Sequence, residues 1–229
     1  MKINNTPGSG QVEEMDRGYD VSRRRFFQLA GGIAGAGILL SACKKTTGPS
    51  TTYVGSGDIA LLNYFYILQQ LEADFYTQAV TTPYYGMDAS EQQLLTDVRD
   101  HEIAHAELLK SLLGSNAVGK IVTDFSAVTF SDRASFTSHA YAIEDLVIAG
   151  FNGAAALFTN TEYVLLLAKM VSVEARHSAY FRDLYNYNSF ADTTVISSSG
   201  LDQAATPSAV LASAETYIQT TFDTSKLPN

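Results

Sequence analysis

Two sets of three residues, spaced alike, restrict this chain more than any other feature. Glu72 lies thirty residues before Glu102, and His105 follows Glu102 by three. Glu144 lies thirty residues before Glu174, and His177 follows Glu174 by three. Glu72, Glu102 and His105 thus recur as Glu144, Glu174 and His177 without a slip. Residues three apart on an α-helix share a face about one turn apart. Two E-x-x-H pairs plus two single glutamates, each from its own helix, make the donor set of a di-metal carboxylate site.

A second reading competes for part of this pattern. His101-Glu102-Ile103-Ala104-His105 also spells H-E-x-x-H, the helical zinc motif in which the glutamate is a general base. Its extended form needs Gly at 108 and His at 111, where this chain has Leu108 and Ser111. Glu144 could serve as a third ligand, but nothing resembles the sheet that such proteases carry. His101 is then left as a neighbour of the site or a surface residue, and His139 as a surface residue.

Four helices are predicted around the six residues. The first covers Asp58 to Val80, with Leu61, Phe65, Leu68, Phe75 and Ala79 in one apolar stripe that also holds Glu72. The second runs from Ser90 to Gly114, with Ser90 and Gln93 as a capping box. Its stripe is Leu94, Leu95, Val98, Leu109 and Leu112, and Glu102 and His105 fill the gap. The third starts near Ser131-Asp132 and reaches Phe158, with Glu144 in its stripe and a thin side at Gly150, Gly153 and Ala154 to Ala156. The fourth covers Thr161 to Tyr187 and holds Glu174 and His177.

Residues 115–130 lack a helical period. Val118, Ile121, Val122, Phe125, Val128 and Phe130 suggest an extended strap over apolar surface. A strap that long allows the second and third helices to run parallel. The expected fold is therefore all-α, a four-helix bundle over 58–187 with a long crossover between helices 2 and 3. A C-terminal extension, 188–229, would add one short helix between Pro207 and Tyr217.

Four carboxylates set in apolar stripes cannot stay charged and unpaired, because each would cost several kcal/mol. Two divalent cations would neutralise them. The oxygen and imidazole donors suit iron, manganese or zinc, and two of the glutamates could bridge both ions. Asp74, Asp100 and Asp145 are candidates to fix the second nitrogen of each histidine. Tyr76, Tyr141 and Tyr180 lie within about a turn of the ligands, and core packing is their expected role in a chain with 13 tyrosines. Arg176 is expected to be solvated or paired with an acid.

The N-terminal part reads as an address. Residues 1–42 form an expected signal peptide, in which Arg23 and Arg24 sit within Ser22-Arg23-Arg24-Arg25-Phe26-Phe27, similar to a twin-arginine export signal. Leu29 to Ala42 is too short for a membrane span of about 20 residues. Leu40-Ser41-Ala42-Cys43 resembles a lipobox, which makes Cys43 the lipidation site and 43–57 a flexible tether. The expected location is outside the cytoplasm, on a membrane through the lipid anchor only. Cys43 is the only cysteine, so no intrachain disulfide or thiolate metal site is available. The chain carries a net charge of −9, which disfavours nucleic acid as a partner. The oligomeric state is left open, with a dimer among the options.

The six residues together resemble the ligand set of the ferritin-like superfamily. Leu71-Glu72-Ala73-Asp74-Phe75-Tyr76, Phe151-Asn152-Gly153-Ala154-Ala155 and Val173-Glu174-Ala175-Arg176-His177 narrow this further. They resemble the bacterial ferritin-like domain family that includes plant desiccation-related proteins. Open coordination positions on the metals would let O2 or peroxide bind. The resemblance implies a redox-active di-iron four-helix bundle and names no substrate. It does not imply a self-contained electron path, because the cysteine-ligated iron domain of rubrerythrins has no counterpart here. The expectation is a di-iron oxidoreductase, and the alternative is a structural or stress-related envelope protein whose bundle is stapled by metal.

Overall fold

The computed structural model describes residues 51–229. Arg23, Arg24 and Cys43, and with them the expected signal peptide and lipid site, lie outside the described residues. Four long helices form the body: α1 (Gly57–Thr81), α2 (Ala89–Leu113), α3 (Arg133–Ala154) and α4 (Thr161–Tyr185). A short α5 (Pro207–Ala214) follows. Two short strands, β1 (Thr52–Tyr53) and β2 (Phe222–Asp223), pair in parallel. The all-α bundle with a short C-terminal helix is thus observed.

Helix directions follow from the contacts. Phe65 stacks on Phe151 and Phe75 on Phe136, so α1 and α3 are antiparallel. Tyr76 stacks on Phe181, while Asp58 caps the turn at Thr159 and Asn160, so α1 and α4 are parallel. Glu91 at the start of α2 faces Arg133 at the start of α3. The second and third helices therefore run the same way, and residues 114–132 cross the length of the bundle between them.

Helix boundaries differ from expectation where polar side chains compete for the caps. Asp88, not Ser90, caps α2: its carboxylate accepts from the Ser90 and Glu91 backbone, and Glu91 closes the capping box. Aspartate is as good an N-cap as serine and adds a charge that favours the helix N-terminus. Asp132 and Asn160 cap α3 and α4 in the same manner. Helix α3 tightens to a 3-10 turn at Ala155–Leu157, and α4 ends two residues before the expected Tyr187.

Helix α1 is buried on all sides rather than along one stripe. Every residue from Ala60 to Ala73 is buried, including Asn63, Gln69, Gln70 and Glu72. The strap covers the side that the other helices leave open. Asn63 donates to the carbonyls of Val54 and Asn116 and accepts from the Val118 N–H. Gln70 accepts from the Ile121 N–H at 3.2 Å. These amides satisfy extended backbone that would otherwise be buried without partners. Val118, Ile121, Phe125, Val128 and Phe130 face inward as expected, whereas Val122 is exposed. Leu112, expected in the α2 stripe, is also exposed, because α2 ends at the rim of the bundle.

The thin side of α3 accommodates two different neighbours. A Cβ on Gly150 would lie 2.1 Å from the Tyr64 hydroxyl of α1. One on Gly153 would lie 1.9 Å from the Ala205 carbonyl oxygen of the C-terminal segment. That segment also donates from Ala205 N–H to the Ala149 carbonyl. The expected flexible tether is fixed at its end: Thr52 and Tyr53 pair with Phe222 and Asp223, and Val54 is buried.

Candidate metal centre

The six residues come together halfway along the bundle, one or two from each long helix. Glu72 comes from α1, Glu102 and His105 from α2, Glu144 from α3, and Glu174 and His177 from α4. All four glutamates are fully buried and His177 is 5% exposed. His105 is the least covered, with 13% of its side chain exposed. The helical ladder leaves each carboxylate free to point inward, because its own backbone groups are already bonded.

The two halves interlock. His105 Nδ1 lies 3.0 Å from Glu174 and 3.5 Å from Glu102. His177 Nδ1 lies 2.8 Å from Glu102, 3.3 Å from Glu174 and 3.8 Å from Glu144. Three groups have donor atoms within 4.8 Å of one another: Glu102, Glu144 and His177; Glu102, His105 and Glu174; Glu72, Glu144 and Glu174. Glu102 and Glu174 are near both histidines, as two bridging carboxylates would be. Of the two histidines Glu144 approaches only His177, and Glu72 lies with Glu144 and Glu174.

These atoms are close without satisfying one another. Glu72 Oε1, both Glu102 oxygens, Glu144 Oε2, Glu174 Oε2 and both histidine Nδ1 atoms are buried and have no hydrogen-bond partner among the described residues. Their separations are short enough, but the donor directions miss the facing oxygens. They converge on the space between them instead. Buried polar atoms left so are rare in folded proteins, and a shared cation resolves all of them at once. The residues therefore fit two divalent ions.

The electrostatics agree. Burial and the charges of Glu174, Glu102 and Glu144 push the Glu72 carboxyl well above its ordinary range. Burial does the same to Glu144, against the pull of His177. Burial opposes a charged His105, but Glu102 and Glu174 outweigh it and hold the imidazole up at about 10. His177 is held at about 11 against its burial by Glu144, Glu102 and Glu174. Glu174, despite burial, is drawn down to about 2 by the two histidines. In short, the cluster retains protons because it needs positive charge, and a metal would take their place.

Several surrounding residues depart from expectation. None of Asp74, Asp100 or Asp145 approaches a ligand histidine. Asp74 pairs with Lys120, Asp100 with Arg99, and Asp145 with Ser178 and Arg182. Each is one or two positions from a glutamate ligand on its helix, and such neighbours face elsewhere. His101 instead meets His177, Nδ1 to Nε2 at 3.1 Å. His139 is half-buried and bonds the Tyr217 hydroxyl at 2.7 Å, so it is not a plain surface residue. Of the three tyrosines, Tyr76 alone touches a ligand, its hydroxyl donating to Glu144 Oε1. Tyr141 lies under the Arg182 guanidinium and beside Tyr185. Arg176 is exposed and donates to the Ser172 carbonyl.

Gln69 is the residue that sequence reasoning missed. Its buried amide donates to Glu72 Oε2 at 2.6 Å and to Glu174 Oε1 at 2.9 Å. Its position three residues before Glu72 was the available signal, since that places it on the same face.

The geometry is that of a four-helix bundle with paired carboxylate and histidine donors at its centre. Comparison with curated proteins gives no match. The model of the ferritin-like domain family matches residues 57–187, which span all four long helices and all six clustered residues. This chain belongs to the ferritin-like domain family.

Proposed function

We propose that this protein is a di-metal carboxylate oxidoreductase, with iron as the native metal, that consumes peroxide or oxidises Fe(II). The observation behind this reading is the convergence of unpartnered buried donors from all six residues on one space. Glu72 and His105 would help to hold one ion and Glu144 and His177 the other, with Glu102 and Glu174 close to both histidines. Iron held there supplies one electron per ion to an oxidant. Reduction of one peroxide to two waters would draw on two such electrons and two protons. The chain's own part is to hold the donors apart from water, orient them, and admit a small oxidant. His105 is the ligand most open to solvent, so the α2 side offers the shortest approach.

The expected address places this activity outside the cytoplasm. We read Arg23 and Arg24 as an export signal and Cys43 as a lipid anchor at the start of the 43–57 tether. The plant desiccation-related resemblance fits a protective role there. Substituting Cys43 with Ala should release the protein from membranes, and lysines at Arg23 and Arg24 should retain it in the cytoplasm.

A second reading has metal serving only as a staple. The complete burial of all four glutamates favours it, because nothing in a purely structural site requires access. Anaerobic loading with Fe(II) followed by one equivalent of peroxide separates the two. Peroxide loss with iron oxidation, absent in Glu102→Ala, supports the oxidoreductase. Bound iron that leaves peroxide intact supports the staple.

A further inference from the structure

The ligands repeat between the two halves, but the residues that touch them do not. His101 lies 72 positions before Val173, which has no donor or acceptor on its side chain. Tyr76, which bonds Glu144, likewise corresponds to Ile148. The two metal positions are therefore built alike inside and differently outside.

His101 is the largest difference. Its ring plane and that of His177 are inclined by only 7°, with centroids 5.3 Å apart. The nitrogens approach to 3.1 Å, well inside the centroid distance. The rings thus meet edge to edge, in line for a hydrogen bond, rather than face to face. His177 Nδ1 points into the carboxylate cluster, so a metal there would take Nδ1 and leave the proton on Nε2. That N–H would then donate to His101 Nδ1. A ligand histidine whose second nitrogen is fixed in this manner has its tautomer and ring angle set before metal arrives. Among the described residues, the polar contacts of His105 are those of its Nδ1, to Glu102 and Glu174.

The geometry points to His101 as a positioning residue that makes the Glu144 and His177 position the tighter of the two, filled first. This rests on the di-metal reading above. It also accounts for the H-E-x-x-H spelling: the first histidine of the motif serves the other half of the centre instead of ligating with His105. Tyr76 works in the same direction, since its hydroxyl fixes one oxygen of Glu144 and leaves Oε2 free.

Calorimetric titration of the metal-free full chain with Zn(II) or Co(II) tests this. The expected wild-type curve has two events of unequal affinity. His101→Leu should weaken the tighter event by about 10- to 100-fold, the usual effect of losing such a partner. His101→Asn, whose carbonyl oxygen can accept the same bond, should restore most of it. Glu72→Ala should keep the tighter event, and Glu144→Ala should lose it. His101 is exposed, so its variants should keep the helical circular dichroism of the parent. Unchanged affinities in His101→Leu, or loss of the tighter event in Glu72→Ala, would overturn the inference while leaving the di-metal reading intact. Failure of the wild type to bind either metal would overturn both.

Discussion

His177 Nδ1 lies closer to Glu102, at 2.8 Å, than to Glu174 of its own E-x-x-H motif, at 3.3 Å. His105 shows the mirror relationship, 3.0 Å from Glu174 against 3.5 Å from Glu102. Neither half of the repeat can therefore form a complete position by itself. Removing a bridging carboxylate should damage both positions, whereas removing a terminal one should damage its own. Glu102→Ala or Glu174→Ala is expected to take metal content toward zero per chain, and Glu72→Ala toward one. Elemental analysis of the purified variants checks this.

Gln69 ties Glu72 to Glu174 across two helices. Gln69→Leu keeps the volume and removes both donated bonds. Unfolding of the metal-free chain in urea should show a loss of about 1–3 kcal/mol, the cost of stranding buried acceptors. Metal affinity should fall by about 10- to 100-fold, as for other partners of ligating carboxylates.

The metal-free chain should lose stability as pH rises. His105 and His177 are raised from 6.5 to about 10 and about 11, so the folded state binds more protons than the unfolded state between those values. Their contribution is complete below about 6.5 and lost as pH climbs through the folded values. Glu72 and Glu144, raised above 4.5, act in the same direction from that pH upward. Glu174 opposes them only in acid: drawn down to about 2, its contribution is present above 4.5 and lost as pH falls toward 2. Thermal melts with chelator should therefore show a midpoint that drops from pH 6 to pH 9. Metal binding displaces these protons, so loading should release protons to the buffer and strengthen with pH.

Gly150 and Tyr64 form a contact with no slack. A Cβ at 150 would meet the Tyr64 hydroxyl, which is itself buried without a partner among the described residues. Gly150→Ala should cost about 1–3 kcal/mol by overpacking. Tyr64→Phe should be neutral within about 0.5 kcal/mol or stabilising, since no hydrogen bond is lost. The double variant should recover part of the loss. Chemical denaturation of the three proteins measures each value.

The bundle and its six central residues were legible because helical periodicity and a repeated spacing are one-dimensional signals. Glu72, Glu102, Glu144 and Glu174 interrupt apolar stripes, and only a buried purpose explains that. The residues around them were not legible for the same reason. His101 bonds a residue on another helix, and no spacing within α2 reveals His177. Asp74, Asp100 and Asp145 were near in sequence but turned away, because adjacent helical positions diverge by about 100°. The full burial of α1 depends on the strap and its amide latches at Asn63 and Gln70, which periodicity within α1 cannot show.

The most direct test of the account is the number of metal ions held by protein folded in the cytoplasm and purified without chelator, measured beside Glu102→Ala. About two per wild-type chain and close to none in the variant are expected. A wild type free of metal after loading with Fe(II), Mn(II) or Zn(II), or a variant that retains the full complement, would contradict it.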